Sequence, residues 1–152
     1  MTIGSNSLID FFGTQDSLDN TSSAVTDGSF SAGTSDLSAW TNDDDAPFAS
    51  ITLEGTYSVA PDAGSTVTLF ARQMNVQSTN DNEAPDANLP HKILGYFPLN
   101  DVTSAQFITI QVKLPNNYSS QVYDFYIQNN AGQTLGAGWD LHVTPMTVGP
   151  HA

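Results

Sequence analysis

The chain contains no cysteine, and of its 152 residues only three are basic, Arg72, Lys92 and Lys113. The first absence excludes disulfides and thiol chemistry, and it leaves the redox compartment open. The second, against sixteen acidic residues, gives a net charge of −13. Nucleic-acid affinity comes mainly from Lys and Arg displacing counterions, so nucleic acid and anionic membrane are not expected partners. No stretch approaches the ~20 apolar residues of a membrane helix. The start, MTIGSNSLIDFFG, has neither a basic opening nor an apolar run of signal-peptide length, and secretion by that route is not expected.

What is present divides at residue 45. Residues 1–45 hold eight acidic side chains, no basic ones and a Ser/Thr/Asn/Asp/Gly-rich composition. Their apolar residues are scattered: Leu8, Ile9, Phe11, Phe12, Leu18, Val25, Phe30, Leu37 and Trp40. That is too few to offset the ~1–2 kcal/mol per residue that ordering a backbone costs. The segment therefore reads as an extended acidic N-terminal arm, held by the chain's own body, a sister subunit or a larger assembly. Residues 46–152 read as one domain, and there is no room for a second core.

From Phe48 the pattern becomes period two. Ile51, Leu53, Tyr57 and Val59 alternate with polar residues, and Val67, Leu69 and Ala71 repeat the pattern, as strands with one buried face do. A phase switch at Met74 and Val76 points to a bulge or bend. Ile93–Leu99, broken by Gly95 and Pro98, reads as an edge strand. Ile108, Ile110, Val112 and Leu114 give a clean strand, Val122–Ile127 an aromatic one, and Leu135–Val143 a last one after the turn-like Asn129–Gly132. Six strands, or seven to eight if Ser29–Ser31 or Asp36–Trp40 join, predict an all-β fold. The fold class is an antiparallel β-sandwich of jelly-roll type with the extended arm, and the long Gln77–Pro90 connection crosses one end.

Chemistry has few places to reside. In the loop Thr79–Asn88, Asp81, Glu83 and Asp86 are oxygen donors of the kind Ca²⁺ takes, but EF-hand spacing is missing and a structural turn is the default. Asp43, Asp44 and Asp45 are consecutive, and neighbours in extended chain point apart, so they read as a solvated hinge. Of His91, His142 and His151, only His142 has a carboxylate, Asp140, in strand phase with it. No nucleophile elbow accompanies that pair. Glu54, Asp124 and Asp140 lie on strands and are the carboxylates available for glycosidase-like pairing. No catalytic residue, metal or cofactor is expected, and the chain does not read as an enzyme. A carbohydrate-binding module would draw on Trp40, Tyr57, Tyr96, Tyr118, Tyr123, Tyr126 and Trp139, although Trp139 shares the core phase of Leu135, Leu141 and Val143.

From about Ala49 to Val148 the chain resembles small tailed-bacteriophage virion proteins that act as capsid decoration, or cement, proteins. The resemblance is carried by Leu53-Glu54-Gly55-Thr56-Tyr57 with Ala60-Pro61-Asp62-Ala63-Gly64, by Thr79-Asn80-Asp81 through Ala84-Pro85-Asp86-Ala87-Asn88, and by Gly95-Tyr96-Phe97-Pro98-Leu99. Tyr126 through Leu135, Gly138-Trp139-Asp140-Leu141 and Val143-Thr144-Pro145 complete it. It implies a jelly-roll subunit, commonly a homotrimer, on the outer surface of a capsid assembled in the host cytoplasm, with the major capsid protein as partner. The acidic surface suits the outside of the shell, away from packaged DNA. Leu8, Ile9, Phe11 and Phe12, with Leu18, Phe30 and Trp40, are the expected partner-binding anchors on the arm. The same sandwich would also serve a tail, neck or baseplate accessory protein.

Overall fold

A computed structural model describes residues 8–19, 21–74, 84–87, 92–115 and 120–150. Its strands, in chain order, are β1 (Leu8–Phe12), β2 (Asp16–Ser17), β3 (Trp40–Asn42), β4 (Phe48–Gly55) and β5 (Thr66–Met74). They continue with β6 (Lys92–Pro98), β7 (Gln106–Lys113), β8 (Gln121–Asn130) and β9 (Asp140–Pro150). Among the described residues the sole helical element is a 3₁₀ turn at Gly33–Ser35.

The protein is all-β, two antiparallel sheets packed as a sandwich. The first sheet has the order β1-β9-β4-β7, with β2 also on β9, and the second has β3-β8-β5-β6. The pairs are nested along the chain: β1 with β9, β3 with β8, β4 with β7, and β5 with β6. Strand alternation follows the side-chain period of two. In β4 the inward residues Ala49, Ile51 and Leu53 are buried while Ser50, Thr52 and Glu54 are half-exposed. Facing them across the sandwich are Val67, Leu69, Tyr123, Phe125 and Ile127 of the second sheet, with Trp139 and Leu141 fully buried beside them.

The division expected at residue 45 does not separate a free arm from a body. Leu18, Val25, Leu37 and Trp40 belong to the same hydrophobic core as the strands. Backbone bonds hold the segment: Leu18 N–H donates to Leu141 O at 3.0 Å, Ser38 N–H to Leu18 O at 2.7 Å, and Ser31 N–H to Ile127 O at 2.8 Å. β2 lies on an edge of the first sheet and β3 on an edge of the second, and the Asp19–Leu37 bridge joins them. The N-terminal segment thus closes one side of the sandwich. Its Ser and Asp residues cap its own turns: the buried Asp36 carboxylate accepts Ser23 N–H at 2.9 Å and Ala32 N–H at 2.6 Å. Gly33 has φ +60°, and an added Cβ there would lie 2.5 Å from the Tyr126 ring, so the turn fits against the sheet only without a side chain.

Four further expectations are corrected. The register irregularity falls between Leu69 and Phe70 opposite β6, whereas Met74 keeps register with Val122 of β8; Val76 lies outside the described residues. Asn129–Gly132 does not make a hairpin, because β8 and β9 lie in different sheets. Leu135 is an isolated bridge to Val25 and Tyr57 rather than the start of β9, and Val59 is exposed. Most of the Gln77–Pro90 connection lies outside the described residues.

Burial of phenols makes the fold alkali-sensitive. Burial pushes the Tyr123 hydroxyl up to about 12, a hydrogen bond from Gln73 working against it. Tyr57 is raised further by burial and the Asp27 charge, and Tyr126 is raised by burial, with Arg72 opposing and Asp124 adding to the rise. A folded-state value above the unfolded one contributes stability that is complete below pH ~10 and is lost as pH rises toward the folded value. Tyr123 alone accounts for roughly 3 kcal/mol between pH ~10 and ~12. Urea unfolding followed by circular dichroism from pH 8 to 12 will show stability falling above pH ~10; an unchanged midpoint at pH 12 contradicts this account.

Candidate functional site

β1 is an edge strand whose side chains are poorly covered. Leu8 is 71% exposed, Phe12 55% and Phe11 46%, and only Ile9 is half-buried. Its one strand partner among the described residues is β9, in the register Leu8–Pro150 through Phe12–Met146. An exposed apolar edge strand is a template for another chain unless it is covered.

The cross-strand row from this edge runs Phe12, Met146, Phe48, Lys113 over β1, β9, β4 and β7. Two open clefts flank Met146. One, about 270 Å³, is lined by Phe11, Phe12, Gly13, Asp44, Ala46, Pro145, Met146 and Thr147. The other, about 360 Å³, has Asp10, Phe48, Gln111, Val112, Lys113, Met146 and Val148 around it. Gly13 turns the chain out of β1: its N–H donates to Pro145 O at 2.9 Å, and an added Cβ would lie 2.5 Å from Asp44 Oδ2 and 2.7 Å from Pro145 Cγ. The edge therefore offers apolar side chains, a backbone ladder and shallow clefts, with Asp10 and Asp44 beside them. That is the equipment of a protein contact.

Of the seven anchors read from the sequence, Leu8, Ile9, Phe11 and Phe12 lie together on this edge. The other three are used by the protein's own fold. Leu18 and Trp40 are 3% exposed; Trp40 stacks on Tyr123 with ring centres 5.8 Å apart and donates from Nε1 to Asp16 Oδ2 at 2.9 Å. Phe30 is half-buried and packs on Phe70 at 5.4 Å. Met146, Phe48 and Pro145, which shape the clefts, were not singled out by sequence reasoning. The signal for them is the outward phase of β4 and the length of β9, which continues past Val143 to Pro150.

A second polar cluster sits on the outer face of the same sheet. His142 Nε2 lies 2.8 Å from Glu54 Oε2 and 3.6 Å from Asp140 Oδ2. The expected pairing of Asp140 with His142 is present, and Glu54 joins from β4 through the register Thr52–His142 and Glu54–Asp140. Asp140 also accepts the Ser17 hydroxyl and Leu18 N–H, the latter at 3.0 Å. The hydroxyl is thus bonded to the carboxylate rather than to the imidazole, and the group ties β2 to β9 instead of assembling a nucleophile with its base. Asp124 does not join Glu54 or Asp140; it lies in the other sheet, paired with Arg72.

Among the described residues no group of three His, Asp or Glu side chains is placed to hold a metal ion. Asp86 is exposed, while Asp81, Glu83, His91, Tyr118 and His151 lie outside the described residues. Of the aromatic residues considered for a glycan platform, Tyr57, Tyr123 and Trp139 are in the core and Tyr126 is covered. Tyr96 is 54% exposed. No helix is long and apolar enough to cross a membrane among the described residues. No model of a known protein family matches the sequence, and no curated protein matches it either.

Proposed function

We propose that this protein is a non-enzymatic structural protein of a tailed-bacteriophage virion. In this reading it is a capsid decoration, or cement, protein that binds the major capsid protein from outside the head, with copies of itself as the second partner. The observation that carries the reading is the N-terminal edge, where three large apolar side chains stand exposed within five residues of a strand whose outer border has no partner among the described residues. The nested strand pairs support a jelly roll, in which one long hairpin wraps into two sheets. The charge of −13 supports a place on the shell's outer surface and opposes self-precipitation at high copy number.

The contact is local: with Leu18 and Trp40 in the core and β1 paired to β9, what the described N-terminal segment offers a neighbour is the exposed edge Leu8–Phe12, not a 45-residue arm with a reach of ~150 Å. Many symmetric copies each adding a modest contact stabilise a closed shell by avidity, with no turnover. Quantitative mass spectrometry of purified particles tests this. A copy number comparable to the major capsid protein supports decoration; a dozen or fewer places the chain in the tail or neck, and absence ends the virion reading.

A further inference from the structure

Among the described residues β1 is bonded on one side only, and the ladder fixes which of its groups face the open side. Gly13 N–H donates to Pro145 O at 2.9 Å. Facing residues of an antiparallel pair alternate between bonded and non-bonded. Counted back from Gly13 through the register Phe12–Met146 to Leu8–Pro150, Phe11 and Ile9 bond to Thr147 and Gly149, whereas Phe12, Asp10 and Leu8 turn their backbone groups outward. Pro150, which has no N–H, stands opposite Leu8, where this pattern asks none of it. The same three residues share one face of the strand, with exposed Asp10 between exposed Leu8 and Phe12. No ion pair among the described residues involves Asp10. Lys113 shares a cleft with it but stands three strands away on β7, and exposed Asp44 lines the other cleft at the Phe12 end.

We infer that the open side of β1 takes an extended segment of a partner protein as a further strand, and that this segment carries a Lys or Arg opposite Asp10 with an apolar residue two positions away on either side. A strand bonded to the outward N–H and C=O groups of Asp10 and Phe12 sets alternate side chains of its own on the face that Leu8, Asp10 and Phe12 share. A cation in the middle meets Asp10, and its apolar neighbours cover Leu8 and Phe12. Asp44 and the net charge of −13 favour the same sign of partner. A second copy of this chain fits poorly. β1 laid antiparallel on β1 over all five residues sets the two Asp10 carboxylates against one another, and like charges directly opposite destabilise. The inference rests on the structural-protein reading above, whose contact is this edge, and specifies the chemistry of the segment that meets it.

Amide exchange read by nuclear magnetic resonance on the full-length protein tests it, with the acetylated and amidated peptide TTVTKTVTT as probe and TTVTETVTT as its counterpart. The pattern is the same read in either direction, so it serves a parallel or an antiparallel strand. The expected result is that the Lys peptide at saturation slows exchange at least tenfold at Asp10 and Phe12 and less than threefold at Ile9 and Phe11. It also binds at least fivefold tighter than the Glu peptide. Asp10→Asn keeps every backbone group and lowers that preference at least threefold. Asp101→Asn, which removes the same charge from an exposed site in the loop before β7, leaves the preference unchanged. No binding at about 1 mM, slowing confined to Ile9 and Phe11, or an undiminished preference in Asp10→Asn overturns the inference. So does slowing at Asp10 and Phe12 that grows with the concentration of the protein alone, which would assign the edge to a second copy. Particle copy number is read independently: an abundant virion protein that takes no strand defeats this inference alone, whereas strand capture by a protein absent from particles defeats the virion reading alone.

Discussion

Deleting Met1–Asp45 abolishes folding, whereas deleting Met1–Phe12 leaves a cooperatively folded sandwich. The longer deletion removes Leu18, Val25, Leu37 and Trp40, all at most 3% exposed. At ~1.5–3 kcal/mol per fully buried side chain, the loss is on the order of 6–12 kcal/mol, comparable to the 5–15 kcal/mol that holds a typical domain together. It also strips the covering strands from the borders of β8 and β9 and opens one side of the core. Of the residues that the shorter deletion removes, the described ones, Leu8–Phe12, are exposed apart from half-buried Ile9, so thermal unfolding remains a single transition shifted by a few degrees. Under the decoration reading, the shorter deletion lowers particle binding at least tenfold. Circular dichroism and calorimetry of the two truncations decide the first claim. A Met1–Asp45 deletion melting within a few degrees of the full chain would show that the segment is an appendage after all.

Asp124→Ala is the point substitution with the largest expected cost, about 3–5 kcal/mol. Asp124 Oδ2 accepts from Arg72 Nε at 3.1 Å and from the Arg72 terminal nitrogen, the two residues standing opposite one another on β8 and β5. The guanidinium also lies over the Tyr126 ring, 5.4 Å from its centre. Removing the carboxylate takes from the buried Arg72 the counter-charge that Asp124 supplies, and the part of its desolvation which that carboxylate offsets is no longer compensated. Replacing the pair together, Arg72→Met with Asp124→Leu, removes both charges and restores most of the stability. Urea unfolding midpoints of the two single variants and the double variant complete the cycle. A loss below ~1 kcal/mol in Asp124→Ala, or a double variant as unstable as the single one, would show that the pair is not what holds this part of the sheet.

The strands with strict alternation were legible because burial on one face writes period two into the sequence. β4 and β7 were located within a few residues from Ile51, Leu53, Ile108, Ile110 and Val112 alone. The N-terminal segment was illegible for the converse reason. Its attachment is largely backbone to backbone, as in Leu18 N–H to Leu141 O, and any residue type supplies those groups. Single apolar residues spaced three to twelve positions apart show no period, yet each fills one gap at a sheet border. Its Asp and Ser residues read as markers of disorder, whereas Asp36 and Ser22 serve as buried caps, the latter donating to Trp139 O. At the candidate edge, Leu8, Ile9, Phe11 and Phe12 were visible as an apolar cluster. The clefts around Met146 were not, because they form where four strands distant in sequence, β1, β4, β7 and β9, meet.

By itself the sequence determined the all-β class, the absence of disulfide chemistry and the strongly acidic character, since these follow from composition and local periodicity. Tertiary structure decided which apolar residues remain exposed. Leu18 and Trp40 differ from Phe11 and Phe12 in no local property; the free borders of β8 and β9 admit the first pair to the core and leave the second at the outer edge of the sheet.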